Sequence, residues 1–282
     1  MEHPNPRDAI ARIHDLPTLP AVLGKILHTA ADPNSSALDL GEHIAADQSL
    51  SATLLRLVNS AYYGFHRQIK TVPQAIVVLG FIEVRNITLT ATAFRTFPTG
   101  HPDFDRTQLW RHSLGAAMAA DYMSERLCLE CEGAFEAALL HDIGKVVFDL
   151  LYPAEFRDAA HQAHTEKRPI IEVEQDCFSL DHAEAGRLLA EHWNLPEAVV
   201  EAIRLHHAPH KAVIDPVLAA LTSLANHLTY PAELGESSNG CAPEFPAEAA
   251  EMIGFSANQV DEVVAELRGN RANIDLFLDQ IQ

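Results

Sequence analysis

Apolar residues recur along this chain at spacings of three and four, the rhythm of helices that bury one stripe, and no segment alternates convincingly as a strand. Leu50, Leu54, Leu55, Leu57 and Val58 form such a stripe behind Asp47, a residue suited to capping a helix start. Asn59, Ser60 and Gly64 then break the pattern. Pro73 stands at a first helical position ahead of Ala75, Ile76, Val77, Val78 and Leu79, read mostly as core, with Gly80 as the stop. Further helices are expected over 108–122, through 136–145, near 154–166, near 171–177, from 183 to 193, from 197 to 207 and over 216–228. The last ones are expected over 247–252 and 256–267, where Ser256 and Gln259 are spaced as a capping box. An amphipathic tail carrying Ile274, Leu276, Phe277, Leu278 and Ile281 follows.

These elements predict an all-α protein with about five or six short helices before residue 98. The chain divides into an N-terminal helical subdomain, 1–100, and a helical bundle, 101–282, joined through the turn-rich segment 98–102. Residues 230–246 are rich in turn formers and acid, and are expected to be a mobile surface loop. Along 108–122, His112, Gly115, Ala116 and Ala119 share one face, where small side chains would let a second helix come close.

Composition narrows the function. With 48% hydrophobic and 7% aromatic residues, the 282-residue chain has enough aliphatic material for helical cores. No apolar run approaches the ~20 residues that span a bilayer, and the first residues carry no apolar signal segment, so the cytoplasm is the expected location. The net charge of −19, with no basic run longer than Lys167-Arg168, argues against a nucleic-acid groove and against anionic membranes. Cys128 and Cys131 have the spacing of half a zinc or redox site, but no second pair exists; with Cys177 and Cys241 they read as reduced, ordinary thiols. His161 and His164, in a polar helix, are expected to be exposed.

The most informative residues are His141 and Asp142, set at the polar break in the apolar run EAALLHDIGK at 136–145. An unpaired polar group buried there costs several kcal/mol, about 2–7 by transfer measurements, so each needs a partner. A structural hydrogen bond is one answer and a divalent metal another, since imidazole and carboxylate together suit a range of ions. The pair is not alone: His112 lies upstream, and His182 and then His206-His207 lie downstream. Successive helical residues point about 100° apart, so His206 and His207 cannot crowd one spot but could serve two metals. Lys145, one turn beyond Asp142, is either a local positive charge for the site or a solvated helix residue.

This order of residues resembles the HD superfamily of metal-dependent phosphohydrolases. The resemblance implies that His112, His141 and Asp142 are metal ligands and that His182, His206 and His207 are the extra histidines of its two-metal branches. It also implies an active-site part for Lys145 beside Asp142. The family's late aspartate falls at Asn226 here, and a neutral amide is a poorer ligand for a hard cation. The Gly-Tyr-Pro element of the branch that cleaves cyclic dinucleotides is absent after His207. Three N-terminal blocks, LPTLPAVLGKIL from Leu16, IAADQSLSATLLRLVNSAYYG from Ile44 and VPQAIVVLG from Val72, resemble the HDOD family of output domains in bacterial signalling.

That likeness implies a multi-helix HDOD fold, an N-terminal helical subdomain packed on an HD-like bundle. It implies a regulatory output module acting through a signalling protein partner, with the ligand cluster retained. The alternative is an HD-type phosphohydrolase or phosphodiesterase acting on a nucleotide or other phosphoester, with Asp142 and Lys145 in the chemistry. Under either, His112, His141, Asp142, His182, His206 and His207 are expected to meet in one pocket and hold one or two divalent transition metals. Iron, manganese and zinc suit the ligand set alike. The apolar tail can pack in cis or against a second copy.

Overall fold

Helix-forming periodicity and capping chemistry account for nearly all of the regular structure. The computed structural model describes residues 24–26, 37–60, 63–97, 104–235, 237, 241 and 243–281. Every described element is helical, with no strand among the described residues. The first family-like block, at 16–27, and the connection at 98–102 lie largely outside the described residues. Contacts group the described residues into two units, one within 17–98 together with 272–281 and the other within 99–271.

The first unit contains α1 (Ala37–Ala46), α2 (Gln48–Val58), α3 (Val72–Leu79) and α4 (Phe81–Thr96). Asp47 caps α2 by accepting the Leu50 N–H at 2.9 Å, one of the donors that every helix start leaves unpaired. Asn59 does more than end that helix. Its Nδ2 donates to the Leu55 and Ile69 carbonyls and its Oδ1 accepts the Ile69 N–H, which ties the following loop back to α2. Gly80, at φ +91°, turns the chain between α3 and α4 in a region that favours glycine. The expected core of α3 is only half realised. Ala75 and Ile76 are buried, but Val77 and Val78 are 85% and 50% exposed, because an eight-residue helix presents a single face to its core.

The second unit contains α5 (Arg106–Arg126), α6 (Ala134–Leu140), α7 (Ile143–Leu151), α8 (Pro153–Glu166), α9 (Ile170–Phe178), α10 (His182–His192), α11 (Glu197–Leu205), α12 (Pro216–Thr229) and α13 (Ala247–Ile253). The final helix, α14 (Ala257–Ile281), gives its residues as far as Arg271 to this unit and the rest to the first. Gln259 returns to the Ser256 N–H and hydroxyl, as the capping-box spacing predicts, and the helix then runs unbroken through the amphipathic tail. Ile274, Phe277, Leu278 and Ile281 are buried, while Leu276 is exposed.

Within the second unit, α5 packs along α6 and α12, α10 along α7, and α11 between α10 and α12. All seven residues of α6 are buried, so this helix is the centre of the unit. Gly144 and Gly186 set the approach of α7 to α10. A Cβ on Gly144 would stand 1.9 Å from the His182 carbonyl oxygen and 2.7 Å from the Gly186 nitrogen. The small face of α5 is also used, though not against a helix at every point. A Cβ on Gly115 would meet Leu234 at 2.8 Å, so the segment after α12 closes over it.

That segment departs from the expected surface loop. Ala232, Leu234 and Ser237 are buried, and Tyr230 and Ser237 share a hydroxyl hydrogen bond of 2.7 Å. Leu234 supplies the apolar anchor that turn-former composition concealed. His161 and His164 are exposed on α8, as expected. The four cysteines are free, with Cys128 at positive φ just beyond α5.

Candidate metal centre

Two of the ligand candidates sit where helices stop. His141 caps the end of α6 and His206 the end of α11. A helix end leaves its last carbonyls without partners, and both rings use one. His141 Nδ1 donates to the Ala138 carbonyl at 2.7 Å, and His206 Nδ1 donates to the Ile203 carbonyl at 2.7 Å. Each ring is thereby held with its Nε2 aimed away from the backbone. His182 opens α10, behind the capping Asp181, and lies against Glu174 on α9. Glu174 Oε2 accepts both the His182 backbone N–H at 2.8 Å and the ring Nδ1–H at 2.5 Å. His112, in the middle of α5, donates from Nδ1 to Thr229 Oγ1 at 2.9 Å; that hydroxyl spends its own proton on the Asn226 carbonyl at 2.7 Å.

Four separate partners thus fix one tautomer for His112, His141, His182 and His206, with Nδ1 protonated and Nε2 bearing the lone pair. The Nε2 atoms converge on Asp142, the residue between α6 and α7. Asp142 Oδ2 lies 3.4 Å from His141 Nε2 and 3.6 Å from His112 Nε2. Oδ1 lies 3.3 Å from His182 Nε2 and 3.8 Å from His206 Nε2. His112 and His141 bring their Nε2 atoms within 3.2 Å of each other with no proton to share. His182 Nε2 and His207 Nε2 are 2.9 Å apart. The six expected ligands therefore come together as two adjoining sets, His112, His141 and Asp142 in one and His182, His206 and His207 in the other, bridged by the Asp142 carboxylate.

Lys145 is not a solvated helix residue. Its side chain is wholly buried and Nζ donates to Asp142 Oδ2 at 2.8 Å. Burial alone would push the Asp142 carboxyl up, but Lys145 and the surrounding imidazoles outweigh it and hold it well below the usual carboxylate range. Burial lowers His112 and His182 to about 3, with His141 adding to the first and Lys145 to the second, and drives His206 well below its usual value. Burial also raises Glu174 to about 8. His112, His182 and His206 are consequently neutral at pH 7, the form that ligates a metal.

The arrangement fits a bound divalent cation. Asp142 Oδ1 and His206 Nε2 are buried acceptors without hydrogen-bond partners, and the facing lone pairs of His112 and His141 repel unless a positive centre sits between acceptors of this kind. Asn226 lies beside His112 with its own Oδ1 buried and unpartnered. His207 differs from the others in being exposed. It faces a cleft of about 710 Å³ that also reaches His206 and Asn226 and passes between α9 and residues 243–246.

Sequence reasoning missed Glu174 and Thr229, which orient two of the rings. Glu174 left one trace: with Ile170, Val173 and Phe178 it occupies the buried stripe of α9, where a carboxylate is out of place without a partner. Thr229 left none, since its partner His112 is 117 residues away.

Residues 16–209 match the family model of the HDOD domain. An uncharacterized protein of Treponema pallidum (strain Nichols) is 30% identical over 223 residues, which cover 76% of this chain and 42% of that protein. The chain therefore spans less than half the length of that relative. Among solved structures, an HDOD domain protein of unknown function from Geobacter sulfurreducens superposes with a TM-score of 0.81 at 24% identity, over 98% of this chain and 99% of that one. A proposed signal transduction protein from Marinobacter aquaeolei VT8 gives 0.83 at 23% identity, over 98% of this chain and 64% of that one. These likenesses establish a shared all-α fold.

Proposed function

This chain belongs to the HDOD family, and we propose that it acts as a regulatory output module of bacterial signalling whose core is a centre for one or two divalent transition metals. Iron, manganese and zinc all suit a set of five imidazoles and one carboxylate. The observation that carries the reading is the 3.2 Å approach of His112 Nε2 to His141 Nε2, both rings being tied through Nδ1 to other partners. With both rings neutral, such an approach is repulsive unless a cation sits between the two nitrogens. His112, His141 and Asp142 would hold one ion, and His182, His206 and His207 a second, with Asp142 able to serve both. The module would act in the cytoplasm through contacts with a signalling protein, and no described helix is long and apolar enough to cross a membrane.

The test is metal content, measured by elemental analysis on protein purified without chelator. About one to two equivalents of a transition metal are expected, lost when His141→Ala and Asp142→Ala are combined. A double variant that keeps its full metal complement would sink the assignment.

A second reading, metal-dependent phosphoester hydrolysis, is supported by the cleft that reaches His206, His207 and Asn226. A bound metal would lower the pKa of its water and polarise a phosphoryl oxygen. Lys145 would keep Asp142 ionised. Turnover of a chromogenic phosphodiester by the metal-loaded protein, absent in the double variant, would favour this reading over a purely regulatory one.

A further inference from the structure

The cleft beside the metal centre has an uncommon electrostatic character for a site that would receive phosphate. Among the described residues, no lysine or arginine lines it. Its charged lining residues are Glu172 and Glu244. Glu172 pairs with Arg168, a guanidinium outside the lining that Glu166 and Asp176 also share. Glu244, on the opposite wall, is exposed. The half-buried His227 adds no positive charge at neutral pH, because burial lowers it. Beside Glu244 the Phe245 ring, 41% exposed, stands edge-on to His227 with ring centres 5.4 Å apart.

A ligand whose anionic end reaches the metals must lay the remainder of its body between these acids and this ring. A second anionic group there would meet Glu172 and Glu244 with no lysine or arginine in the described lining to neutralise it. A cation would meet both carboxylates and the exposed Phe245 ring, a combination that favours organic ammonium groups. We infer that the cleft takes a monophosphate ester whose organic part carries a positive charge, and that it rejects polyphosphates and phosphorylated acids. The inference rests on the reading that the centre holds metal, since only metal supplies the positive charge for the phosphate end.

A charge ladder of small phosphate esters separates the possibilities. Phosphocholine, glycerol 3-phosphate and 3-phosphoglycerate carry the same phosphate with a cationic, neutral and anionic companion group. Titration calorimetry on the metal-loaded full chain is expected to rank them in that order, with about tenfold between the ends. Glu244→Lys, at an exposed position that leaves the metal ligands alone, is expected to reverse the order. A flat or inverted ranking in the unaltered protein overturns the inference, as does a ranking that Glu244→Lys does not change. Metal analysis of the same sample keeps the two readings apart. Protein with full metal that binds none of the three esters overturns the cleft inference alone, whereas protein that takes up no metal overturns the metal centre and the cleft inference with it.

Discussion

Lys145 Nζ donates to Asp142 Oδ2 across 2.8 Å, and neither side chain is more than 1% exposed. The two residues are three apart, spanning the start of α7, so the ammonium is delivered to the carboxylate by the first helical turn. Removing one partner of a buried pair strands the other charge, which typically costs about 3–5 kcal/mol. Lys145→Met is therefore expected to destabilise the metal-free protein by that order. Bound metal would replace part of the lost positive charge, so the penalty should shrink in the loaded protein. Urea unfolding with and without metal measures both; an equal penalty in the two states would argue that no cation reaches Asp142.

Acid should unfold the metal-free protein through its histidines. His112 and His182 are lowered to about 3 in the folded chain and lie near 6.5 when unfolded. Between those values the unfolded state binds more protons, so stability falls as pH drops below about 6.5. Glu174, raised to about 8, acts in the opposite sense and favours the folded state as pH falls through 8 toward 4.5. Two imidazoles with His206 outweigh the single carboxyl, leaving a net slope on the order of 1–3 kcal/mol per pH unit. Asp142 adds a further loss below its unfolded value of about 3.9, which persists until the pH falls through its depressed folded value. Denaturation midpoints recorded between pH 4.5 and 7 in chelator at constant ionic strength give the sign directly.

The members of the buried cluster were legible in the sequence, in part because His141 with Asp142 and His206 with His207 are neighbours in the chain. Their meeting in one pocket was expected from the family resemblance; what the sequence did not show is how the rings are aimed, which depends on two helices ending where they do and on spare carbonyls at Ala138 and Ile203. Helix positions followed from apolar spacing and from the Asp47 cap, which accepts the expected backbone N–H; Asp181 and Asp215 cap α10 and α12 in the same way. What stayed hidden were contacts made through turns. Glu174 reaches His182 across the turn that begins at Ser179, which ends α9 at φ +52°. Leu234 reaches Gly115 from a stretch whose composition reads as loop.

Gly144→Ala is expected to damage the centre without touching a ligand. The new methyl would face the His182 carbonyl at 1.9 Å, and both are held in helical backbone that cannot yield like a side chain. Overpacking of this kind costs about 1–3 kcal/mol and would move α10, carrying His182 away from Asp142. Loss of metal together with a lowered melting temperature is the expected result. Gly24→Ala, where a Cβ would meet nothing, serves as the control.

Glu174 positions His182 and does not itself face the ligand sets. Glu174→Ala would leave the ring Nδ1–H and the His182 backbone N–H without their shared acceptor, and loss of such a partner typically weakens metal binding by about 10–100-fold. Glu174→Gln keeps an oxygen for both donors and should retain most of the affinity. Metal competition titrations on the two variants separate positioning from charge, since a charge effect would leave Gln as weak as Ala.

Asn226→Asp should have opposite effects on the two forms of the protein. Its side-chain oxygen is buried beside His112 with no hydrogen-bond partner, in the position where the HD superfamily pattern carries an aspartate. Without metal, a carboxylate there adds an uncompensated buried charge near Asp142, so the apo form should lose on the order of 1–3 kcal/mol. With metal, the same carboxylate becomes an additional hard ligand, and affinity should rise by about tenfold or more. Apo unfolding free energy and metal dissociation constant, measured on one preparation, give two numbers that must move in opposite directions. If affinity falls along with apo stability, Asn226 does not face the metal and its unpartnered oxygen needs another explanation.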